Sequence, residues 1–525
     1  MNNILTTTLG VLPLCIAASA QQRMNVLFIA VDDLKPNIGC FGDSLAVTPH
    51  IDRIAKKGVV FAKNYCQFSW SAPSRASLLL GQTPDQTRIW DLNTKYRDKN
   101  PTTVTIPENF KNNGYYVAGA GKIYHNESVV DYDAQAWSEY IGYEQYNKYK
   151  PQEIKSISGA NGYFEPEHVT HIQKLKEEMA AKGMSAQEMN DYFKHHFRPP
   201  CEGADAPDEA YTDGMTSLVV RKLLDKAAVG DAPFFIAAGF HRPHMPFISP
   251  KKYWDLYKRD QFSMAPFQQK AENSPDIAYH TSEEMHNYHT DGLWRYTPGK
   301  RADGLMDMPE DQQILLLHGY YAAISFVDAQ IGKIYNHLVE LRLADNTIVV
   351  IWGDHGWHLG DHAMWGKQSN FEQGARSPLL ILDPRMGKRI VSHRVTEFVD
   401  IYPTLCDLTG IPEPHKMVGT SLRPLIEGND QPVKPYSVSQ YRPYQRRTIM
   451  GYTIRSERFR YTLWLDKNPQ AGATIDRANM LGEEFYDYED DPLETVSLVN
   501  DPKYRAEVER HKAYLDDYFT QHRYN

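Results

Sequence analysis

At 525 residues, 42% hydrophobic and 23% charged, the chain is too long for a single hydrophobic core and too apolar to be disordered or fibrous. A formal net charge of -9 with no long basic run argues against nucleic acid as a partner. An anionic ligand would have to be met by a local pocket of Lys, Arg and His.

The first twenty residues, MNNILTTTLGVLPLCIAASA, hold an apolar stretch too short to span a bilayer and end in Ala18-Ser19-Ala20, a small-residue cleavage pattern. A secretory signal over 1–20, cut before Gln21, is expected, and with it export to a bacterial periplasm; the lack of Lys and Arg at its start leaves a disordered or lightly anchored N-terminus as the other reading. No later segment reads as a transmembrane candidate. Cys15 leaves with the signal. Cys40, Cys66, Cys201 and Cys406 are too scattered for a disulfide framework or a zinc pattern and are expected as buried thiols.

From Met24 onward one unit recurs, a short apolar run followed by polar residues of a catalytic kind. MNVLFIAV (24–31) stops at Asp32-Asp33, and YYVAGAG (115–121) stops at Lys122 with His125 three residues on. PFFIAAGF (233–240) stops at His241, followed by His244, and NTIVVIWG (346–353) stops at Asp354-His355. Runs rich in Val, Ile and Phe, separated by helical stretches such as 211–228 and 311–342, predict buried parallel strands of an α/β sheet. Ligands of such sheets bind beyond the carboxyl ends of the strands, so the four clusters are expected to meet there. Taken singly, each has an ordinary reading as a turn, a helix cap, a core histidine or a surface lysine. Their joint occurrence at strand ends favours a site.

Asp32, Asp33, Asp354 and His355 together offer three carboxylates and an imidazole, a mainly hard donor set suited to one divalent cation of the calcium or magnesium kind rather than zinc. Lys122, His125, His244 and Lys367 would supply positive charge and protons for an oxyanion at that cation. Residues 145–210, including KLKEEMAAKGMSAQEMNDYFKHHF, read as a helical insertion that either shapes a pocket or lies on the surface as an amphipathic helix. A catalytic domain over 21–430 is expected to be followed by a C-terminal subdomain over 431–525, where MGYTIRSERFRYTLW and EEFYDYEDDPLE suggest a small antiparallel sheet and 501–520 a closing helix.

The stretch SAPSR (71–75) matches the sulfatase signature of Cys or Ser, any residue, then Pro-Ser-Arg. With NVLFIAVDDLKPNIGCFGD, GKIYH, AGFHRPHMPF, DHGWHLGDH, GKQSNF, VGTSLRPLI, SQYRP and GYTIRSERFRYTLW in order, the chain resembles the type I sulfatases and is most similar to iduronate-2-sulfatases. The resemblance implies an alkaline-phosphatase-like α/β fold, with a large, mostly parallel mixed sheet flanked by helices and a small C-terminal α+β subdomain. It implies oxidation of Ser71 to formylglycine by a maturation enzyme, one calcium-like ion at Asp32, Asp33, Asp354, His355 and an oxygen of modified Ser71, and a sulfated carbohydrate substrate. Arg75 would hold the formylglycine hydrate, and Lys122 and Lys367 the sulfate oxygens. His125 would take the proton that triggers sulfate release, and His244 would protonate the departing sugar oxygen, with His241 a weaker candidate. The similarity to iduronate-2-sulfatases implies exo-acting removal of a 2-O-sulfate from a uronic acid of a heparan- or dermatan-type glycosaminoglycan, with Trp357, His358 and Arg442 as candidates for the sugar.

Two departures from the family pattern stand out. Serine replaces the commoner cysteine at 71, which points to the oxygen-independent radical route of maturation, and Gln82 stands where many sulfatases carry Arg. Two rival readings stay open: a phosphatase of the same superfamily with an unmodified serine and two metals, and a glycan-binding protein silent because Ser71 is never converted.

Overall fold

The computed structural model describes residues 23–125, 133–290, 298–443, 446, 448–466 and 477–522; the expected signal over 1–20 lies outside the described residues. An eight-stranded sheet is built from β1 (Asn25–Val31), β2 (Val59–Tyr65), β3 (Tyr116–Gly121), β4 (Glu139–Ile141), β5 (Phe234–Phe240), β6 (Thr347–Gly353), β7 (Leu379–Leu382) and β8 (Ile390–Glu397). Its spatial order is β8-β2-β7-β6-β1-β5-β3-β4. The four strands expected from sequence are the contiguous parallel set β6-β1-β5-β3 at its centre. Their carboxyl ends therefore lie side by side.

Only β7 runs against the others. A parallel return normally needs a crossover to the far end of the sheet. Here the chain leaves β6, remains at the same end through 354–378, and re-enters the sheet from there. That segment carries Asp354, His355 and Lys367.

Both faces of the sheet are covered, as its continuous apolar strands require. Leu27, Ile29 and Val31 of β1 pack with Val219, Val220 and Leu223, and with Ile324, Val327 and Ile331 of a long helix. The alternate residues Val26, Phe28 and Ala30 pack with Leu78–Leu80 and with Ile401, Tyr402 and Leu405. The helices on the first face are α4 (Thr212–Ala228) and α5 (Glu310–Glu340), and on the second α1 (Ser71–Leu80) and α6 (Ile401–Thr409). By length and composition α5 could cross a membrane, contrary to the expectation that no later segment qualifies; its apolar window is 78% buried, because it is a core helix lying on the sheet.

The insertion forms α2 (Pro166–Ala181) and α3 (Ala186–His196), broken at Gly183 and restarted by a Ser185–Glu188 capping box. Ile172, Leu175, Met179 and Phe193 turn inward and pack with Ile248 and Phe326. Beyond the large sheet, Ser437–Tyr441, Ile449–Arg455, Phe459–Asp466 and Met480–Asp487 form an antiparallel four-stranded sheet closed by α7 (Arg505–Gln521). Its first strand is tied to the segment before Ser71: Gln440 N donates to Gln67 O at 2.8 Å and Ser439 Oγ to Cys66 O at 2.6 Å. Cys40, Cys66, Cys201 and Cys406 are all free and buried.

Candidate active site

Ser71 opens α1, with Trp70 in extended conformation as the residue before it. A helix N-terminus presents unpaired N–H groups and positive potential to whatever lies in front of it. Ser71 Oγ stands 3.0 Å from His355 Nε2 and 3.4 Å from Asp32 Oδ1. One turn on, Arg75 binds the strand ends together. Its Nε donates to Asp354 Oδ2 at 3.0 Å, its Nη2 to Asp32 Oδ1 at 2.9 Å, and its Nη1 to the carbonyls of Lys122 and Ile123 at 2.7 and 3.1 Å.

The strand ends are fixed by backbone geometry as well. Asp33 adopts a left-handed φ of +56°, which Asp tolerates better than most residues, and its N–H donates to Asp354 Oδ1 at 2.9 Å. Tyr320 of α5 donates to the Asp33 carbonyl at 2.8 Å, so the core helix holds this turn from below. Gly121 and Gly239 permit the close approach that places Lys122. A Cβ on Gly121 would lie 2.0 Å from the Gly239 carbonyl oxygen, and one on Gly239 would lie 2.2 Å from the Lys122 carbonyl carbon.

Asp32, Asp33, Asp354 and His355 are all fully buried. Burial works to raise the Asp32 pKa, but Lys122 and Arg75 outweigh it and hold the carboxylate well below its usual range. Asp33 goes the other way: burial, with Asp32, Glu284 and Asp354 nearby, pushes it well above despite Lys367. Ligand atoms of Asp33, Asp354 and His355 lie within 4.8 Å of one another, and the mainly oxygen donor set fits a hard divalent cation. Two more groups have this spacing, Asp32–His241–His244 and Asp33–His244–Glu284. Their carboxylates are shared with Lys122 and Lys367, whose ammonium groups already bring the positive charge that a second metal would bring. This favours a one-cation site over the two-metal phosphatase arrangement.

Lys122 pairs with Asp32, and Lys367 Nζ lies 2.9 Å from both oxygens of Asp33. Burial opposes charge on Lys367, but Asp33 and Glu284 raise its pKa and keep it protonated. His244 Nε2 is 3.8 Å from Asp33 and 3.4 Å from Glu284, and its Nδ1 is 2.7 Å from the Met245 carbonyl. Burial, reinforced by Lys367, pushes the His244 imidazole well below its usual pKa. His125 is brought down to about 3 by burial and by Lys122, so its ring is neutral, and its buried Nδ1 has no hydrogen-bond partner among the described residues.

The structure thus assembles Ser71, Arg75, Lys122, His125, His244, Lys367, Asp32, Asp33, Asp354 and His355 around one point. The three sugar candidates are placed differently. Trp357 is fully buried, with Lys367 Nζ 5.1 Å from its ring, and His358 Nε2 bonds Ser369 Oγ at 2.7 Å; both brace the Lys367 segment from the core side. Arg442 donates to the Trp90 carbonyl at 2.9 Å. Glu284 escaped the sequence reading. It joins His244 to Lys367, 3.3 Å from the latter, yet it sits in an irregular polar loop with no strand or motif to single it out.

The family description Sulfatase matches residues 24–411, and N-sulphoglucosamine sulphohydrolase, C-terminal, matches 360–521. The chain is 28% identical to iduronate 2-sulfatase of Mus musculus over 551 residues, covering 93% of this chain and 92% of that protein. It is 27% identical to Delta 4,5-hexuronate-2-O-sulfatase of Bacteroides thetaiotaomicron over 521 residues, covering 96% and 90%. The solved structure of a 2-O GAG sulfatase superposes with a TM-score of 0.64 at 22% identity, covering 95% of this chain and 93% of that one, and shares the alkaline-phosphatase-like fold. The match from Met24 to Ile411 takes in every strand of the large sheet and the whole strand-end cluster, so this chain belongs to the sulfatase family, whose members hydrolyse sulfate esters.

Proposed function

We propose that the protein removes the 2-O-sulfate from a uronic acid of a heparan- or dermatan-type glycosaminoglycan, with formylglycine at position 71 as the nucleophile. The observation that carries the sugar assignment is that two relatives aligned over nine-tenths or more of both chains are named for 2-O-sulfatases of uronic or hexuronic sugars. Export to a periplasm, as residues 1–20 suggest, fits an enzyme that meets polysaccharide fragments outside the cytoplasm.

Maturation takes two electrons and two protons from the Ser71 Cβ–OH, passing them to the maturation enzyme's acceptor, and leaves an aldehyde that adds water to form a geminal diol. One diol hydroxyl passes its proton to a facing carboxylate, Asp32 Oδ1 lying 3.4 Å from Ser71 Oγ, and its oxygen attacks sulfur at the helix N-terminus while the bond from sulfur to the sugar oxygen breaks. His244 delivers a proton to that sugar oxygen. A bound sulfate ester would add its negative charge to that of Asp32 beside His244, against the burial that disfavours the protonated ring. Lys122 and Lys367 neutralise the sulfate oxygens. His125, already neutral, removes the proton from the second hydroxyl; the C=O bond reforms and sulfate leaves. A divalent cation held by Asp32, Asp33, Asp354 and His355 would withdraw charge from the sulfate and acidify the hydroxyl it touches. Arg75 holds Asp32 and Asp354 in place for it.

The test is turnover on sulfated disaccharides that differ only in sulfate position, including unsaturated uronates left by polysaccharide lyases. Preference for a 2-O-sulfated uronate supports the reading. Preference for 6-O-sulfated glucosamine over every 2-O-sulfated uronate would retire the sugar assignment. Absence of turnover together with tight binding would favour the silent glycan binder.

A further inference from the structure

Next to the strand-end cluster, with His241 as a shared wall, lies a cleft of about 800 Å³ whose other side is formed by the insertion. Arg198 and Arg242 both line it, and neither has a carboxylate within 4 Å among the described residues. Arg198 instead lies over the ring of Tyr288 at 4.5 Å, and Arg242 donates to the His244 carbonyl. The only acidic lining residue among the described ones, Asp213, is 2% exposed, and its two oxygens accept from the backbone N–H groups of His241 and Arg242, each at 2.8 Å. Its carboxylate is also the main counter-charge of the Arg242 guanidinium. In a chain of net charge -9, a pocket lined by Arg198, Arg242 and Lys194 against a single acidic residue among the described ones is suited to an anion. Tyr163 and Phe197 give it the apolar surface that the faces of a sugar ring require.

We propose that this cleft receives the glycan on the leaving-oxygen side of the scissile bond, and that Arg198 and Arg242 pair with its carboxylate. The proposal rests on the uronate reading given above. It follows from position: His244, which protonates the leaving oxygen, is two residues beyond Arg242, and His241 faces both the catalytic cluster and the cleft. Arg198 and Arg242 thereby take the role in binding the sugar carboxylate that the sequence had suggested for Trp357, His358 and Arg442.

The experiment compares kcat/KM on a 2-O-sulfated uronate disaccharide with kcat/KM on the same disaccharide after its carboxylate is reduced to an alcohol. Loss of a charge-assisted pair should cost the wild-type enzyme on the order of tenfold or more, mainly in KM. In Arg198→Met this preference for the carboxylate should fall toward unity. Because the ratio is taken within one variant, a general loss of activity does not change it; should Arg198→Met fail to fold, Arg198→Gln gives the same ratio. Equal wild-type values on the two substrates, or an undiminished preference in the Arg198 variant, would overturn the cleft assignment and leave the 2-O-sulfatase reading standing. Turnover of neither disaccharide, alongside turnover of 6-O-sulfated glucosamine, would overturn the uronate reading and the carboxylate pairing with it.

Discussion

Replacing Arg75 by Met removes a guanidinium that is 1% exposed and makes four contacts, with the carboxylates of Asp32 and Asp354 and the carbonyls of Lys122 and Ile123. Breaking a buried ion pair by deleting one partner costs about 3–5 kcal/mol, because the remaining charge is left unpaired. A carbonyl that loses its donor adds about 1–3 kcal/mol unless water reaches it. Relaxation offsets part of the sum, so a net loss of about 5 kcal/mol is expected. For 525 residues the unfolding entropy is about 1.1 kcal/mol per kelvin, and the melting temperature should fall by about 5 °C. Added calcium should recover more of this loss in the variant than in the wild type, since Asp354 then lacks its guanidinium partner and Asp32 keeps only Lys122. Arg75→Lys should fall between the two, because one ammonium cannot span four acceptors. Differential scanning calorimetry with and without calcium reads all three proteins. A variant melting within about 1 °C of wild type, with undiminished turnover of a sulfate ester, would refute the claim that this fork holds the strand ends together.

Asp354→Asn should lower calcium occupancy from one equivalent and reduce turnover in step with it, measured by elemental analysis and by activity; two zinc ions per chain at full occupancy would favour the phosphatase reading instead. His244→Ala should slow substrates with alkoxide leaving groups by roughly a hundredfold or more while affecting activated aryl sulfates far less, and equal losses on both would contradict its role as acid. With a pKa near 3, His125 binds a proton only in strong acid, so single-turnover sulfate release should show no His125 limb between pH 5 and 8 and should fall only as pH drops toward 3. A limb near 6.5 that disappears in His125→Ala would contradict this.

The centre of the fold was legible because its four strands are apolar runs stopped abruptly by Asp, Lys or His, and those strands are neighbours in space. β2, β4, β7 and β8 were not singled out. β2, β4 and β8 are not apolar runs stopped by Asp, Lys or His; β7 is one, stopped by Asp383, but its reversed direction, which follows from where the site loop returns, puts that residue at the opposite end of the sheet from the site. The cation and sulfate ligands were legible for the same reason as the strands, each lying within a few residues of a strand end or on the Lys367 loop that follows β6. Glu284 was not, since its role depends on a loop brought in from distant sequence to meet His244 and Lys367. Trp357 and His358 are a different case. Their closeness in sequence to Asp354 and Lys367 suggested contact with the sugar, whereas the turn sends both side chains behind the lysine. Arg198 belongs to an insertion with no motif of its own, and only the folded chain brings it to the cleft beside His241.

The account stands or falls on the chemical state of residue 71. Mass spectrometry of the peptide spanning SWSAPSRASLLLG, taken from protein made in its native host, measures that state directly. The account predicts a peptide lighter than the encoded one by two hydrogens, reactive toward carbonyl reagents, in an amount that tracks sulfatase activity between preparations. Fully unmodified Ser71 in protein that hydrolyses sulfate esters would contradict it.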